Sequence, residues 1–182
     1  MQLIDTESLA DRYEQGLSIE DFLPTAQKNA DLWAQVWKRA SVAEAHIARV
    51  EALRGQWHLL VLSADWCGDA SNIVPVIARL AEQASNLSLR VLDRDEHPDL
   101  MDEHLTGGSS RSIPVVMILD EDFQERAWWG PRPSPLQQWV KEEGMALPSD
   151  ERYRLVRRWY AQDRGVTSVE EVVLLMEAAA AE

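Results

Sequence analysis

Apolar positions recur with a helical period over the first third of the chain. Leu9, Tyr13 and Leu17 are spaced for one face, and Ser18 is placed to cap a further segment from Ile19. Beyond Pro24, Ala30, Trp33, Trp37 and Ala40 predict a longer helix. Val42, Ala45, Ala48 and Leu53 predict a third, stopped by Arg54-Gly55, so that residues 5–53 read as helical. The period then changes. His58 to Ser63 is a short, continuous apolar run, the pattern of a strand covered on both faces. Ser71 to Ser85 reads as helix, Leu87 to Leu92 as strand and Pro98 to Leu105 as a short helix. Pro114 to Leu119 and Phe123 to Trp129 read as a hairpin turning at Asp120-Glu121-Asp122. Gly130-Pro131-Arg132-Pro133 breaks the chain, and Ser134 is expected to cap a helix to Glu143. Residues 149–182 form a helical tail, hinged at Gly165 and fraying at Ala178–Ala181.

Composition narrows the options. With 182 residues, 46% of them hydrophobic, the chain can bury a substantial core. Its formal net charge of −13 argues against nonspecific binding to nucleic acid or anionic membrane, which takes a surplus of Lys and Arg. No apolar stretch approaches the roughly 20 residues of a membrane span. Met1 to Gln15 is polar and has no secretory pattern, so a cytoplasmic location is expected. One cysteine excludes a disulfide framework and a multi-cysteine zinc site within the chain. His46, His58, His97 and His104 lack metal-ligand spacing, and the acidic stretch Asp93 to Asp99 lacks that of a calcium loop. No metal or cofactor is expected.

That single cysteine stands in Ala64-Asp65-Trp66-Cys67-Gly68-Asp69-Ala70, between a predicted strand and a predicted helix. Free N–H groups at a helix start favour thiolate over thiol, whereas Asp69 puts a negative charge within one turn of the sulfur. The segment resembles the Trp-Cys-x-x-Cys site of thioredoxin-like proteins, with Ala70 where the second cysteine would stand. Pro75 lies where thioredoxins kink the helix after the thiol. Arg111-Ser112-Ile113-Pro114-Val115 resembles their cis-proline segment, and Gly130 follows the last strand as a glycine does there.

The predicted order β-α-β-α-β-β-α over residues 57–145 matches that family. The resemblance implies an α/β thioredoxin fold, a central mixed sheet with flanking helices. The core is expected over 56–146, with a helical N-terminal extension over 1–55 and a C-terminal helical tail over 147–182. The flanking helices and the Trp-Cys-Gly-Asp text resemble a bacterial group of this family whose function is poorly defined.

The resemblance also implies roles. Cys67 is the expected catalytic thiol. Trp66, Gly68, Asp69, Arg111, Ile113 and Pro114 are expected to form the substrate groove, with Ile113–Pro114 cis and Arg111 close enough to lower the thiol pKa. The family's buried Asp, six residues before the first cysteine, is Val61 here. With neither resolving thiol nor proton relay, ordinary dithiol turnover is not expected. Two functions remain open: monothiol exchange with a thiol- or disulfide-containing protein or small thiol, and a redox-inactive binding or scaffold module using the same groove. Monothiol glutaredoxins share the one-cysteine pattern, but Asp69 departs from theirs.

Overall fold

The structure, a computed structural model, describes residues 7–182. The reading of residues 5 and 6 as helix, and of Met1 to Thr6 as part of a polar stretch, lies outside the described residues. Four helices come first: α1 (Leu9–Gln15), α2 (Ile19–Phe22), α3 (Ala30–Arg39) and α4 (Glu44–Glu51). The central unit follows as β1 (Trp57–Ser63), α5 (Gly68–Gln83), β2 (Leu87–Asp93), α6 (Pro98–Glu103), β3 (Val115–Leu119), β4 (Glu125–Trp129) and α7 (Ser134–Glu142). Two long helices, α8 (Ser149–Asp163) and α9 (Val166–Ala180), complete the chain.

The sheet order is β2-β1-β3-β4. β1 lies inside, parallel to β2 and antiparallel to β3, so that Val61 faces Val91 on one side and Val116 on the other. Its apolar run is explained by that position: Leu59 to Ser63 are all buried, as a strand covered on both faces requires. The tryptophans of β4 show what covers each face, since neighbouring strand residues point oppositely. Trp129 donates its indole N–H to Glu171 of α9 at 2.8 Å. Trp128 instead meets His104, just after α6, edge to face with ring centroids 5.5 Å apart. α9 therefore covers one face together with its neighbour α5. The other carries α6 and α1, where Arg12 reaches Asp99 at 2.6 Å and Tyr13 packs on His58 and Phe123.

α3 and α4 pack outside α5. Trp33 is fully buried, Arg79 of α5 stacks 3.6 Å from the Trp37 ring centroid, and Arg49 of α4 bonds Glu170 and Glu177 of α9, each at 2.7 Å. Gly165, in the left-handed region at φ +79, turns the chain between α8 and α9. It sits so close to α5 that a Cβ there would lie 2.7 Å from a Val76 methyl.

Three expectations change. Leu17 leaves the α1 face: after Gly16 the chain runs extended, and Leu17 makes a lone antiparallel bridge to Val91, with N–H···O distances of 2.9 and 2.8 Å. Ser134 is the first residue of α7 and not its cap; its N–H goes to Glu171 at 2.8 Å. The Ala-rich end does not fray at Ala178, because Ala179 is buried and α9 continues to Ala180.

Candidate functional site

β1 delivers the chain into the Ala64-Asp65-Trp66 turn, and Cys67 caps α5 with its side chain. Its sulfur accepts the Ala70 N–H at 3.4 Å, an orphan donor of the first helical turn. The thiol S–H is directed at the Ile113 carbonyl, 3.5 Å away. Ile113–Pro114 is cis, and a second cis bond, Gly130–Pro131, lies beside it in the fold. Only glycine fits at position 130: at φ +143, a Cβ would lie 2.1 Å from the Pro114 carbonyl oxygen. Thiol, helix start and proline loop thus form one unit, although Cys67 and Ile113 are 46 residues apart.

The thiol is only 7% exposed. Burial pushes its pKa above the usual thiol value, and the Asp69 charge adds to that. The Ala70 and Asp69 N–H groups and the Arg132 charge oppose the shift without overcoming it. The balance between helix start and Asp69 is therefore decided by desolvation, which a sequence does not display.

Asp69 belongs to a second cluster. Arg132 grips its carboxylate with two guanidinium nitrogens, each at 3.0 Å, and Tyr160 of α8 donates its hydroxyl at 2.6 Å. Burial and the Asp69 charge push Tyr160 far above the ordinary phenol range, so it is a permanent donor. Arg132 stays charged because Asp69 outweighs the opposing effect of burial.

Arg111 does not reach the thiol. Its guanidinium pairs with Asp102 at 2.7 and 2.8 Å on the surface, and the cation beside the sulfur is Arg132. The proline loop is instead held through the Arg111 carbonyl, which accepts from Arg94 at 2.5 Å. The same Arg94 guanidinium lies 4.9 Å from the Trp66 ring centroid. Trp66 is 45% exposed and so is not a core residue. Gly68 is exposed, with open space where a side chain would project. Val61 is fully buried between Val91 and Val116, so this position offers the thiol no carboxylate.

The N-terminal helices are latched to this turn. The Asp65 carboxylate accepts the Gln27 and Lys28 N–H groups at 2.9 and 3.0 Å, and these bonds hold its pKa below the usual range. The Asp65 carbonyl accepts the indole N–H of Trp33 at 2.9 Å. Arg94, Arg132, Tyr160 and Trp33 are the contributors that sequence reasoning misses. Only Arg132 carried a signal, an arginine fixed between two prolines directly after Gly130.

α8 carries Arg152, Arg154, Arg157 and Arg158 behind Asp150 and Glu151, and Asp150 and Arg154 stand four apart, a spacing that suits ion pairing along a helix. Arg152 instead donates to the Leu147 carbonyl and flanks the Tyr153 ring. Among the described residues, none of the four has a carboxylate within 4.0 Å. Nor is there, among the described residues, a group of three His, Cys, Asp or Glu side chains fit to hold a metal ion.

A thiol capping the first helix after an internal strand, opposite a cis-proline on a mixed four-stranded sheet, defines a thioredoxin-fold protein with one cysteine. A family model described as thioredoxin matches residues 16–146, and the chain belongs to that family. Among solved structures, a protein of unknown function from Pseudomonas aeruginosa is 18% identical, with a TM-score of 0.70, covering 96% of this chain and 99% of that one. An HIV epitope-scaffold is 16% identical, with a TM-score of 0.74, covering 94% and 99% respectively. At these identities the likeness is one of fold. No curated protein matches.

Proposed function

We propose that this chain is a thioredoxin-fold binding module that holds a partner segment in the groove between Trp66 and Pro114, with Cys67 as a wall of that groove at neutral pH. The observation that carries this reading is the contrast between neighbours: Cys67 is buried with its ionisation disfavoured, while Trp66 beside it is broadly exposed. A thiol nucleophile needs a thiolate fraction and access, and both are low here. An exposed tryptophan beside the cis-proline loop suits recognition, because tryptophan anchors interfaces at small entropic cost. Trp66 and Gly68 offer exposed surface beside the buried Ile113 and Pro114, and Asp69 ties the first turn of α5 to Arg132.

A second reading, monothiol exchange through Cys67, is favoured by one specific observation. The sulfur caps a helix start beside the cis-proline, where the family's attacking thiol stands. In that reading the Cys67 thiolate attacks a disulfide, displaces one sulfur as a thiolate and keeps the other in a mixed disulfide. A further small thiol then releases it, since Ala70 supplies none.

Alkylation of Cys67 by iodoacetamide, followed against pH in native and urea-unfolded protein, separates the two. The binding module predicts native alkylation at least tenfold slower than unfolded at pH 7, with a midpoint above the free-thiol value of about 8.5. A native rate exceeding the unfolded one, with a midpoint below that value, replaces this reading with monothiol exchange.

A further inference from the structure

A cavity of about 480 Å³ opens between α3, α5 and α8, apart from the groove beside the thiol. Its apolar part includes Leu32 and Val36 of α3, Val76 of α5 and Ala161 of α8. Three arginines stand around it: Arg39 at the end of α3, and Arg157 and Arg164 on α8 and its terminus. Among the described residues no Asp or Glu lines it, although the chain carries 31 acidic residues against 18 Lys and Arg. Among the described residues, none of the three arginines has a carboxylate within 4.0 Å.

Arg12, Arg49, Arg79, Arg111, Arg126 and Arg132 are each paired with a carboxylate. What distinguishes Arg39, Arg157 and Arg164 is that all three line one cavity. A protein of net charge −13 repels anions from most of its surface, so three guanidinium groups around one cavity make a local site of the opposite sign. Guanidinium groups bind carboxylate and phosphate oxygens through paired N–H donors. The cavity they surround is within the range of about 300–1,000 Å³ usual for small-molecule sites and combines apolar walls with the neutral polar Asn72, Ser41 and Tyr160.

We infer that this cavity is a binding site for a small amphipathic anion, a carboxylate or phosphate head on an apolar body of several carbons. The head lies among Arg39, Arg157 and Arg164, and the body enters between Val36 and Val76. The inference rests on nothing at Cys67 and stands or falls apart from the groove.

Isothermal titration with octyl phosphate and with octanoate, both below micelle-forming concentration, tests it. Saturable binding of one molecule per chain by either is the expected result. Inorganic phosphate and octyl glucoside, each carrying one half of the chemistry, should bind at least tenfold more weakly. Replacing Arg157→Gln and Arg164→Gln together should weaken binding at least tenfold. Replacing Arg154→Gln and Arg158→Gln, which removes the same charge from the same helix outside the cavity, should change it less than threefold. Ala161→Trp keeps every charge but fills the space, and should abolish binding while the folded far-UV spectrum is retained. The inference is overturned if neither amphiphile saturates, if both arginine pairs weaken binding equally, or if folded Ala161→Trp binds as the parent does.

Discussion

At Asp69 one carboxylate faces a thiol, a guanidinium and a phenol, and its charge adds to the burial that chiefly opposes ionisation of Cys67. Its charge disfavours the thiolate, while Arg132, which it anchors, favours it. Asp69→Asn separates the two effects: the negative charge goes and the cation stays. Native alkylation at pH 7 should accelerate about three- to tenfold, because removing a nearby like charge and leaving a cation lowers a thiol pKa. Stability should fall, since a largely buried guanidinium loses its partner. A loss toward the lower end of about 3–5 kcal/mol is expected in urea titration, Arg132 keeping some contact with water. A rate unchanged at retained fold would show that the Asp69 charge does not reach the sulfur. That Cys67 meets the Ile113–Pro114 loop was legible because the motif spacing is local or familial. Tyr160 and Arg132 were not, because they come from 91 and 63 residues beyond Asp69 and no local pattern marks them. Arg111 was misjudged for the opposite reason. Sequence proximity to Pro114 suggested a role for its side chain, whereas Asp102, free on α6, captured it.

Between elements, buried polar links do the positioning, and His104 is the clearest. It ends α6, donates its Nδ1–H to the Leu100 carbonyl 2.6 Å away, and meets both Glu125 oxygens of β4 through Nε2 at 2.9 and 3.0 Å. Burial works against its charged form, yet the Glu125 carboxylate and the Leu100 carbonyl outweigh burial and raise its pKa. A histidine whose folded pKa is raised contributes stability that is fully present below the unfolded value of about 6.5. That contribution is lost as pH rises through the folded value. Glu125→Gln should therefore cost about 1.5–3 kcal/mol at pH 5.5, the usual worth of hydrogen bonds to charged groups. The difference between parent and variant should shrink by pH 8.5. His58 and His97, both shifted downward chiefly by burial, titrate alike in the two proteins and cancel from that difference. A gap equal at both pH values would mean that His104 is neutral throughout. The strands and helices themselves were well marked by period and by punctuation such as Gly165. Misread positions sat where a tertiary partner overrode local preference: Val91 drew Leu17 into a bridge, and Glu171 took the Ser134 N–H.

Across the whole molecule, the helices outside the sheet unit are structural partners of it. Trp33 and Val50 from the N-terminal side and Val172, Val173 and Met176 from α9 have no exposed surface. Arg49 of α4 closes onto Glu170 and Glu177 of α9, so the two ends of the chain hold each other beside α5. Sequence pattern revealed that these helices carry apolar faces; it did not reveal that they face one another, because the pairing is set by three-dimensional closure over more than 120 residues. A protein ending at Pro148 should therefore fail to fold. Burying a large apolar side chain contributes about 1.5–3 kcal/mol. Three of them from α9 alone thus match the lower part of the roughly 5–15 kcal/mol by which domains are stable. The cut also removes Tyr160 from Asp69 and both carboxylates from Arg49. Near-UV circular dichroism of its tryptophans should be lost, and urea should produce no sharp transition. Met176→Ala in the full chain supplies the graded version, with a loss of about 2–5 kcal/mol from an unfilled cavity. A truncated monomer that unfolds cooperatively, together with a loss below about 1 kcal/mol for Met176→Ala, would show that the sheet unit carries its own stability and that α8 and α9 are appendages.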